Sequence, residues 1–104
     1  MAVIKKSRIP ETPRYRELVA ALAKELQRDQ PTGPADAPQI VEEEQRSGFL
    51  HVAVIWDNWQ DVDRADRGKV IMDAYQQQRV DDVAKITVAL GLTHAEAERI
   101  GVHA

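Results

Sequence analysis

The segment from residue 49 to residue 57, which reads FLHVAVIWD, constrains the fold more than any other part of this sequence. Apolar side chains occupy both alternating sets of positions, and β-branched residues are frequent. This pattern is typical of a strand that is covered on both faces or that lies at the centre of a sheet. We therefore expect a sheet in which this segment is an inner strand.

The residues that precede this strand predict an antiparallel partner. Residues 39–46 are separated from residues 49–57 by a Ser-Gly pair, a turn signal that favours a hairpin. A two-residue loop would place Glu44 opposite His51. Such a pair is most often a simple cross-strand contact, although it could also act as a general base or supply two metal ligands.

Helical spacing of apolar residues predicts two longer helices. Helix one covers about residues 13–28 and begins at Thr12 and Pro13, because the hydroxyl accepts an orphan backbone N–H and proline has none to donate. Helix two covers about residues 63–78. Its interior contains Gly68, which costs roughly 1 kcal/mol relative to alanine and therefore needs a local reason.

The last third of the chain predicts a strand and a short helix. Residues 84–92 alternate strictly between aliphatic and other side chains, which is the period of a strand with one buried face. Thr93 and Glu96 have the spacing of a capping box, so a helix should run from there to about Ile100. Gly101 then suits the residue that follows a helix.

These elements define an α+β fold class with the order α-β-β-α-β-α and a three-stranded sheet packed against two main helices. Residues 1–11 are expected to be a flexible N-terminal tail, and residues 12–104 a single α+β domain. Three of the five prolines fall in residues 30–38, which are expected to be a loop.

Composition excludes several classes of protein. There is no cysteine among the 104 residues, so the chain has no disulfide, thiol nucleophile or thiolate metal site. No apolar run approaches the roughly 20 residues needed to span a bilayer, so we expect no membrane association and a cytoplasmic location. The net charge of -3 argues against a protein that binds nucleic acid by electrostatics alone.

The sequence carries no enzyme motif that we can identify, neither a nucleophile elbow nor a P-loop nor a zinc-protease helix. Four aspartates, Asp57, Asp61, Asp63 and Asp66, cluster within ten residues and could hold Mg²⁺ or Ca²⁺. Their spacing is not that of an EF-hand loop, and helix capping explains them at least as well. We therefore expect no enzymatic activity, no metal and no cofactor.

Two tryptophans flank residues 57–58. Alternation along the strand sends Trp56 into the core, whereas Trp59 lies past the strand and either packs at the start of helix two or belongs to a contact surface. Gly68 either lets another backbone or a bulky side chain such as Trp59 approach helix two, or leaves a cleft for an acidic group of a partner.

The middle of the chain resembles the BolA-like family, whose fold is related to the type II KH arrangement. The resemblance rests on the order helix, hairpin, helix, strand, and on a local pattern in which Trp59 falls on the family's aromatic residue. Arg67 and Lys69 fall on its two arginines. It extends over about residues 14–98 in topology and about 20 residues in pattern.

The resemblance implies a partner protein rather than a reaction. In the family, a histidine of the helix motif is a candidate ligand of an iron–sulfur cluster shared with a monothiol glutaredoxin, but Gly68 stands at that position and removes the ligand. Asp61 stands where the family has a glycine. None of the five glycines forms the GxxG loop of RNA-binding KH domains.

These observations favour a small non-enzymatic protein-interaction or adaptor domain, with an unknown protein partner and a possible homodimer. The alternative is a weak nucleic-acid-binding domain that uses basic residues of helix one together with Arg67 and Lys69. The candidate interaction residues are Trp59, Arg64, Arg67, Lys69, His51 and Glu44.

Overall fold

Four strands, four helices and one 3-10 turn are present in the computed structural model, which describes residues 5–8, 13–26, 37–78 and 80–101. The predicted helices, hairpin and following strand lie where the sequence places them, to within three residues at each end; most of the predicted proline-rich loop lies outside the described residues. The elements are β1 (Lys5–Arg8), α1 (Pro13–Glu25), β2 (Gln39–Glu44), β3 (Leu50–Ile55), the 3-10 turn (Asp57–Asp61), α2 (Arg64–Gln78), α3 (Val80–Val83), β4 (Ile86–Leu92) and α4 (His94–Ile100).

The strands form one mixed sheet in the order β1-β2-β3-β4. β2 and β3 are the antiparallel hairpin, and β4 is parallel to β3. A parallel neighbour requires a crossover connection, which α2 and α3 supply. The α+β class is confirmed, and β3 is an inner strand, as its apolar pattern predicts.

β1 adds a fourth strand at the edge of the three strands that the sequence predicts, β2, β3 and β4. It lies in the segment that was expected to be a tail. Its sequence, KKSR, has no apolar alternation, and hydrophobic periodicity therefore gives no sign of it. The register places Lys5 opposite Glu44 and Lys6 opposite Glu43. This pairing becomes visible only once both strands are known.

The hairpin register differs by one residue from the prediction. His51 lies opposite Glu43 rather than Glu44, which pairs instead with Leu50. The Gln45 N–H donates to the Phe49 carbonyl at 2.7 Å, so the loop between the strands has three residues and not two. Its last residue, Gly48, has a φ of 91°, the left-handed conformation that ends a three-residue hairpin loop.

The sheet separates two apolar clusters. The main core lies between one face of the sheet and the helices α1 and α2, and its members are almost fully buried; they include Leu18, Leu22, Ile40, Val52, Val54, Ile71 and Tyr75. A second, smaller cluster lies on the opposite face, where Ala97 of α4 packs with Val41, Ile55 and Leu92. None of the described helices has both the length and the apolar character needed to cross a membrane.

Two glycines allow α2 and Trp59 to approach β4 closely. A Cβ atom at Gly91 would lie 2.7 Å from the Cβ of Arg67 and 3.0 Å from Cε2 of Trp59, so this strand position admits no side chain without movement. A Cβ atom at Gly68 would lie 3.2 Å from the carbonyl oxygen of Ala89. The prediction that another backbone approaches Gly68 is confirmed, but the bulky neighbour Trp59 packs against Gly91 instead.

α4 begins and ends as the sequence predicts. The Thr93 hydroxyl accepts the Glu96 N–H at 3.2 Å, and the Glu96 carboxylate accepts the Thr93 N–H at 2.9 Å, which completes the capping box. Gly101 follows the helix with a φ of 82°. These reciprocal bonds fix the direction in which α4 leaves β4.

Candidate interaction surface

From Val88 onward, β4 presents its large side chains away from α1 and α2. The sequence predicts that Ile86, Val88 and Leu90 share one buried face, but Val88 is 42% exposed, and Ile86 packs with the main core. A register irregularity next to Leu50 and His51 interrupts the alternation at the start of β4. The expected single buried face is therefore wrong, although the strand itself is present.

The small residues of β4 explain this orientation. Ala89 and Gly91 lie on the side of α2, where Gly68 and Arg67 approach within contact distance. A helix that packs so close leaves no room for large side chains. The aliphatic residues of β4 from Val88 onward therefore lie on the opposite face of the sheet. On that face, α4 covers only the end of β4 at Leu92.

We call the uncovered part of this second face the open sheet face; it consists of Glu43, His51, Ala53, Val88 and Leu90. Ala53 and Leu90 are partly buried at the edge of the second cluster. The side chain of His51 is 41% exposed and that of Glu43 28% exposed. Among the described elements, α4 alone packs on this side, so the open sheet face combines exposed aliphatic surface with a titratable pair.

His51 and Glu43 form the cross-strand pair that was predicted for His51 and Glu44. His51 Nδ1 lies 3.9 Å from Glu43 Oε1, which is beyond hydrogen-bond distance. Gln45 Nε2 donates to the same carboxylate oxygen at 3.2 Å. A pair at this distance is a weak cross-strand contact, and Glu44 is exposed and takes no part in it.

Arg67 is a structural residue and not a contact residue, so its prediction as an interaction candidate is wrong. Only 5% of it is exposed. Nε donates to the Val62 carbonyl at 2.7 Å, and Nη1 donates to the Gly91 carbonyl at 3.1 Å and to Glu96 Oε1 at 2.6 Å. The guanidinium thus joins α2, β4 and α4, and its charge is compensated inside the protein.

Glu96 is held in the charged form by this arrangement. The backbone hydrogen bond from Thr93 and the hydrogen bond from Arg67 lower the pKa of Glu96 from its ordinary value of 4.5 to about 2, against the opposing effect of burial. Arg64 Nη2 lies 3.6 Å from the other carboxylate oxygen. The capping glutamate therefore also connects α4 electrostatically to α2.

Trp59 is also excluded from a contact surface because it is fully buried. Its ring lies edge-on to Trp56 at a centroid distance of 5.4 Å, and its indole N–H donates to the Val54 carbonyl at 3.0 Å. The core interpretation is therefore the correct one for both tryptophans. The buried indole has its hydrogen bond and contributes packing rather than recognition.

The aspartate cluster does not gather into a cation site. Asp57 Oδ1 accepts the backbone N–H of His94 at 2.9 Å and lies 3.1 Å from His94 Nδ1. The backbone hydrogen bond is the main reason why the pKa of Asp57 lies below its ordinary value. Within the described ranges, no group of three or more histidine or acidic side chains is placed to hold a metal ion.

The remaining predicted contact residues do not form one site. Arg64 and Lys69 are exposed on α2, whereas His51 lies on the opposite side of the sheet. The sequence did not indicate Val88 and Leu90 as contact residues, because the alternation in β4 assigned them to a buried face. The available signal was the pair of small residues, Ala89 and Gly91, which alternates with them.

No protein-family model, characterised protein or solved structure matches this chain.

Proposed function

We propose that this chain is a small non-enzymatic protein-interaction or adaptor domain of the BolA-like type, and that its partner binds the open sheet face. The observation that carries the proposal is the exposure of Val88, which is 42% exposed. Leu90, the next aliphatic residue on the same face of β4, is also only partly buried. Exposed aliphatic surface bordered by polar residues is a common property of protein-binding sites.

The order of α1, the hairpin β2–β3, α2, β4 and α4 supports the BolA-like part of the proposal. The resemblance anticipates a helix, a hairpin, a second helix and a third strand in this order, and the chain has them. The 4-residue strand β1 is an addition to that order. Gly68 at the position of the family's histidine argues that recognition takes place without an iron–sulfur cluster on this chain.

The experiment compares two charge substitutions on neighbouring exposed residues of β4. Val88→Asp places a carboxylate on the open sheet face, whereas Thr87→Asp adds the same charge at the exposed residue before it, which has no partner in the β3 register. Both variants serve as bait, beside the wild-type chain, for capture from a native lysate at low and at moderate salt. We expect Val88→Asp to lose the captured protein and Thr87→Asp to keep it at both salt concentrations.

Two results would contradict the proposal. Equal capture by both variants would mean that the open sheet face is not the binding surface. Capture that collapses between low and moderate salt would favour the alternative, a weak nucleic-acid-binding domain. Arg67 is buried and cannot contact a nucleic acid, so this alternative would rely on the exposed cations Arg16, Lys24 and Lys69. Light scattering over a range of protein concentrations shows whether the partner is a second copy of this chain.

A further inference from the structure

We propose that α4 is a lid over the second apolar cluster, and that it opens as a unit while the main core remains folded. An open α4 enlarges the open sheet face. This consequence for binding rests on the proposed function, whereas the opening itself rests only on the contacts of α4.

The apolar attachment of α4 is slight. The helix has seven residues, and Ala97 is its one buried residue. Ile100, its largest aliphatic side chain, is 52% exposed. A helix of two turns is not stable on its own in water, so α4 depends on the contacts that hold it to the rest of the protein.

Those contacts are mainly polar and are concentrated at the first turn. Glu96 accepts from Arg67 at 2.6 Å, lies 3.6 Å from Arg64, and closes the capping box. Asp57 in the 3-10 turn accepts the backbone N–H of His94. Arg64, Arg67 and Asp57 are the charged groups that face the first turn of α4 from the 3-10 turn and α2, and Glu96 is their central partner.

The surface beneath α4 is separate from the main core. Val41, Ile55 and Leu92 form a cluster of their own with Ala97, on the far side of the sheet from α1 and α2. Removal of α4 therefore exposes this cluster without a change in the packing of the main core. Arg67 keeps its hydrogen bonds to the carbonyls of Val62 and Gly91, which do not involve α4.

The exposed surface would be continuous with the open sheet face. Ile55 follows Ala53 on β3 in the same alternation, and Leu92 follows Leu90 on β4. Register pairs Ala53 with Leu90 and Ile55 with Leu92. The closed lid therefore covers about half of a two-strand aliphatic strip, and its opening regulates how much of that strip a partner can reach.

Amide hydrogen exchange of the full chain near pH 7 tests the lid. The conditions are chosen so that each exchange rate is proportional to the equilibrium constant for opening. We compare the amides of residues 97–101 with those of residues 52–54 in β3 and 70–75 in α2. Glu96→Gln should speed exchange in α4 by about tenfold, because it removes the charged partner of Arg67. Glu98→Gln makes the same change at an exposed position of the same helix and should leave the α4 rates within about twofold of wild type.

A core substitution decides whether the opening is independent. Ile71→Val shortens a fully buried side chain of the main core and should speed exchange in β3 and α2 by roughly 2- to 12-fold. If α4 opens on its own, its rates should not change in this variant. Equal acceleration of α4, β3 and α2 by Ile71→Val would overturn the proposal, and so would unchanged α4 rates in Glu96→Gln. No partner is used, so failure of the lid is distinguishable from failure of the proposed function.

Discussion

The two faces of the sheet are covered in different ways. On one face, α1 and α2 bury Ile40, Val52 and Val54 to 1% exposure or less. On the other face, α4 contributes one buried alanine and leaves Val88 42% exposed. The difference shows that an apolar residue in a strand is not always buried. Its burial depends on which element packs against that face of the sheet.

The difference originates in β4, which from Val88 onward carries small and large residues on opposite faces. Gly91 and Ala89 allow Arg67 and Trp59 to lie directly on the strand, while the aliphatic residues are directed to the weakly covered side. The following experiments test whether the two faces differ in stability as much as they differ in burial.

The largest effect is expected for Gly91→Ala, at the tightest contact of the helix-covered face. The added Cβ would lie 2.7 Å from Cβ of Arg67 and 3.0 Å from Trp59, both of which are buried and unable to move aside. We expect the free energy of unfolding to fall by about 3 kcal/mol, at the upper end for an overpacked core. Urea unfolding followed by tryptophan fluorescence measures it. An unchanged midpoint would mean that Trp59 does not pack on β4.

The next largest effect compares the same substitution on the two faces. Val52→Ala removes two methyl groups from a side chain that is 1% exposed in the main core, and we expect it to cost about 2 kcal/mol. Val88→Ala removes the same groups from the open sheet face and should cost less than about 0.5 kcal/mol. Thermal unfolding of both variants measures the difference. Equal losses would show that Val88 is covered in solution, by a second copy or another part of the chain.

The sequence predicts the positions of the helices and strands well, but it predicts less well how the strands pair and which face of each strand is buried. The strand 49–57, the capping box at Thr93 and the glycine after α4 follow from local rules, and the structure contains all three. β1 and the hairpin register were missed, because both depend on pairing between segments and on a loop that is one residue longer than expected.

The candidate site was predicted only in part, for the same reason. The sequence identified a His–Glu pair, but not which glutamate forms it. The sequence leaves Trp59 between the core and a contact surface, and it makes Arg67 a contact candidate through the BolA-like resemblance. Both side chains are buried by tertiary contacts. The glycine at position 91, inside a predicted strand, was the signal that large side chains pack against this face of β4.

Acid pH should weaken the α4 side of the molecule selectively. The pKa of Glu96 in the folded protein is lowered to about 2 from an ordinary value of 4.5. A carboxylate with a lowered pKa contributes stability above its ordinary pKa, and the contribution is lost as the pH falls from about 4.5 to about 2. We expect a loss on the order of 1 kcal/mol, since part of the side chain is in solvent, which screens the pair.

The control for the pH experiment is again Glu98→Gln. Unfolding at several pH values from 7 to 2 should show that Glu96→Gln is less stable than wild type at pH 7 and that the difference shrinks toward pH 2. Glu98→Gln should follow the wild-type curve. A difference between wild type and Glu96→Gln that stays constant over this range would show that the carboxylate charge does not hold α4.

A small effect is expected for Gly68→Ala, where two contributions oppose each other. Alanine favours a helix interior by up to about 1 kcal/mol relative to glycine. Its Cβ, however, would lie 3.2 Å from the Ala89 carbonyl oxygen, and β4 is held in place by its pairing with β3. Because that backbone oxygen cannot move far, we expect a net loss of less than about 1 kcal/mol, seen as a small fall in the melting temperature. A rise in the melting temperature would mean that α2 and β4 are further apart in solution, and the close packing that directs the aliphatic residues of β4 to the open face would then need another cause.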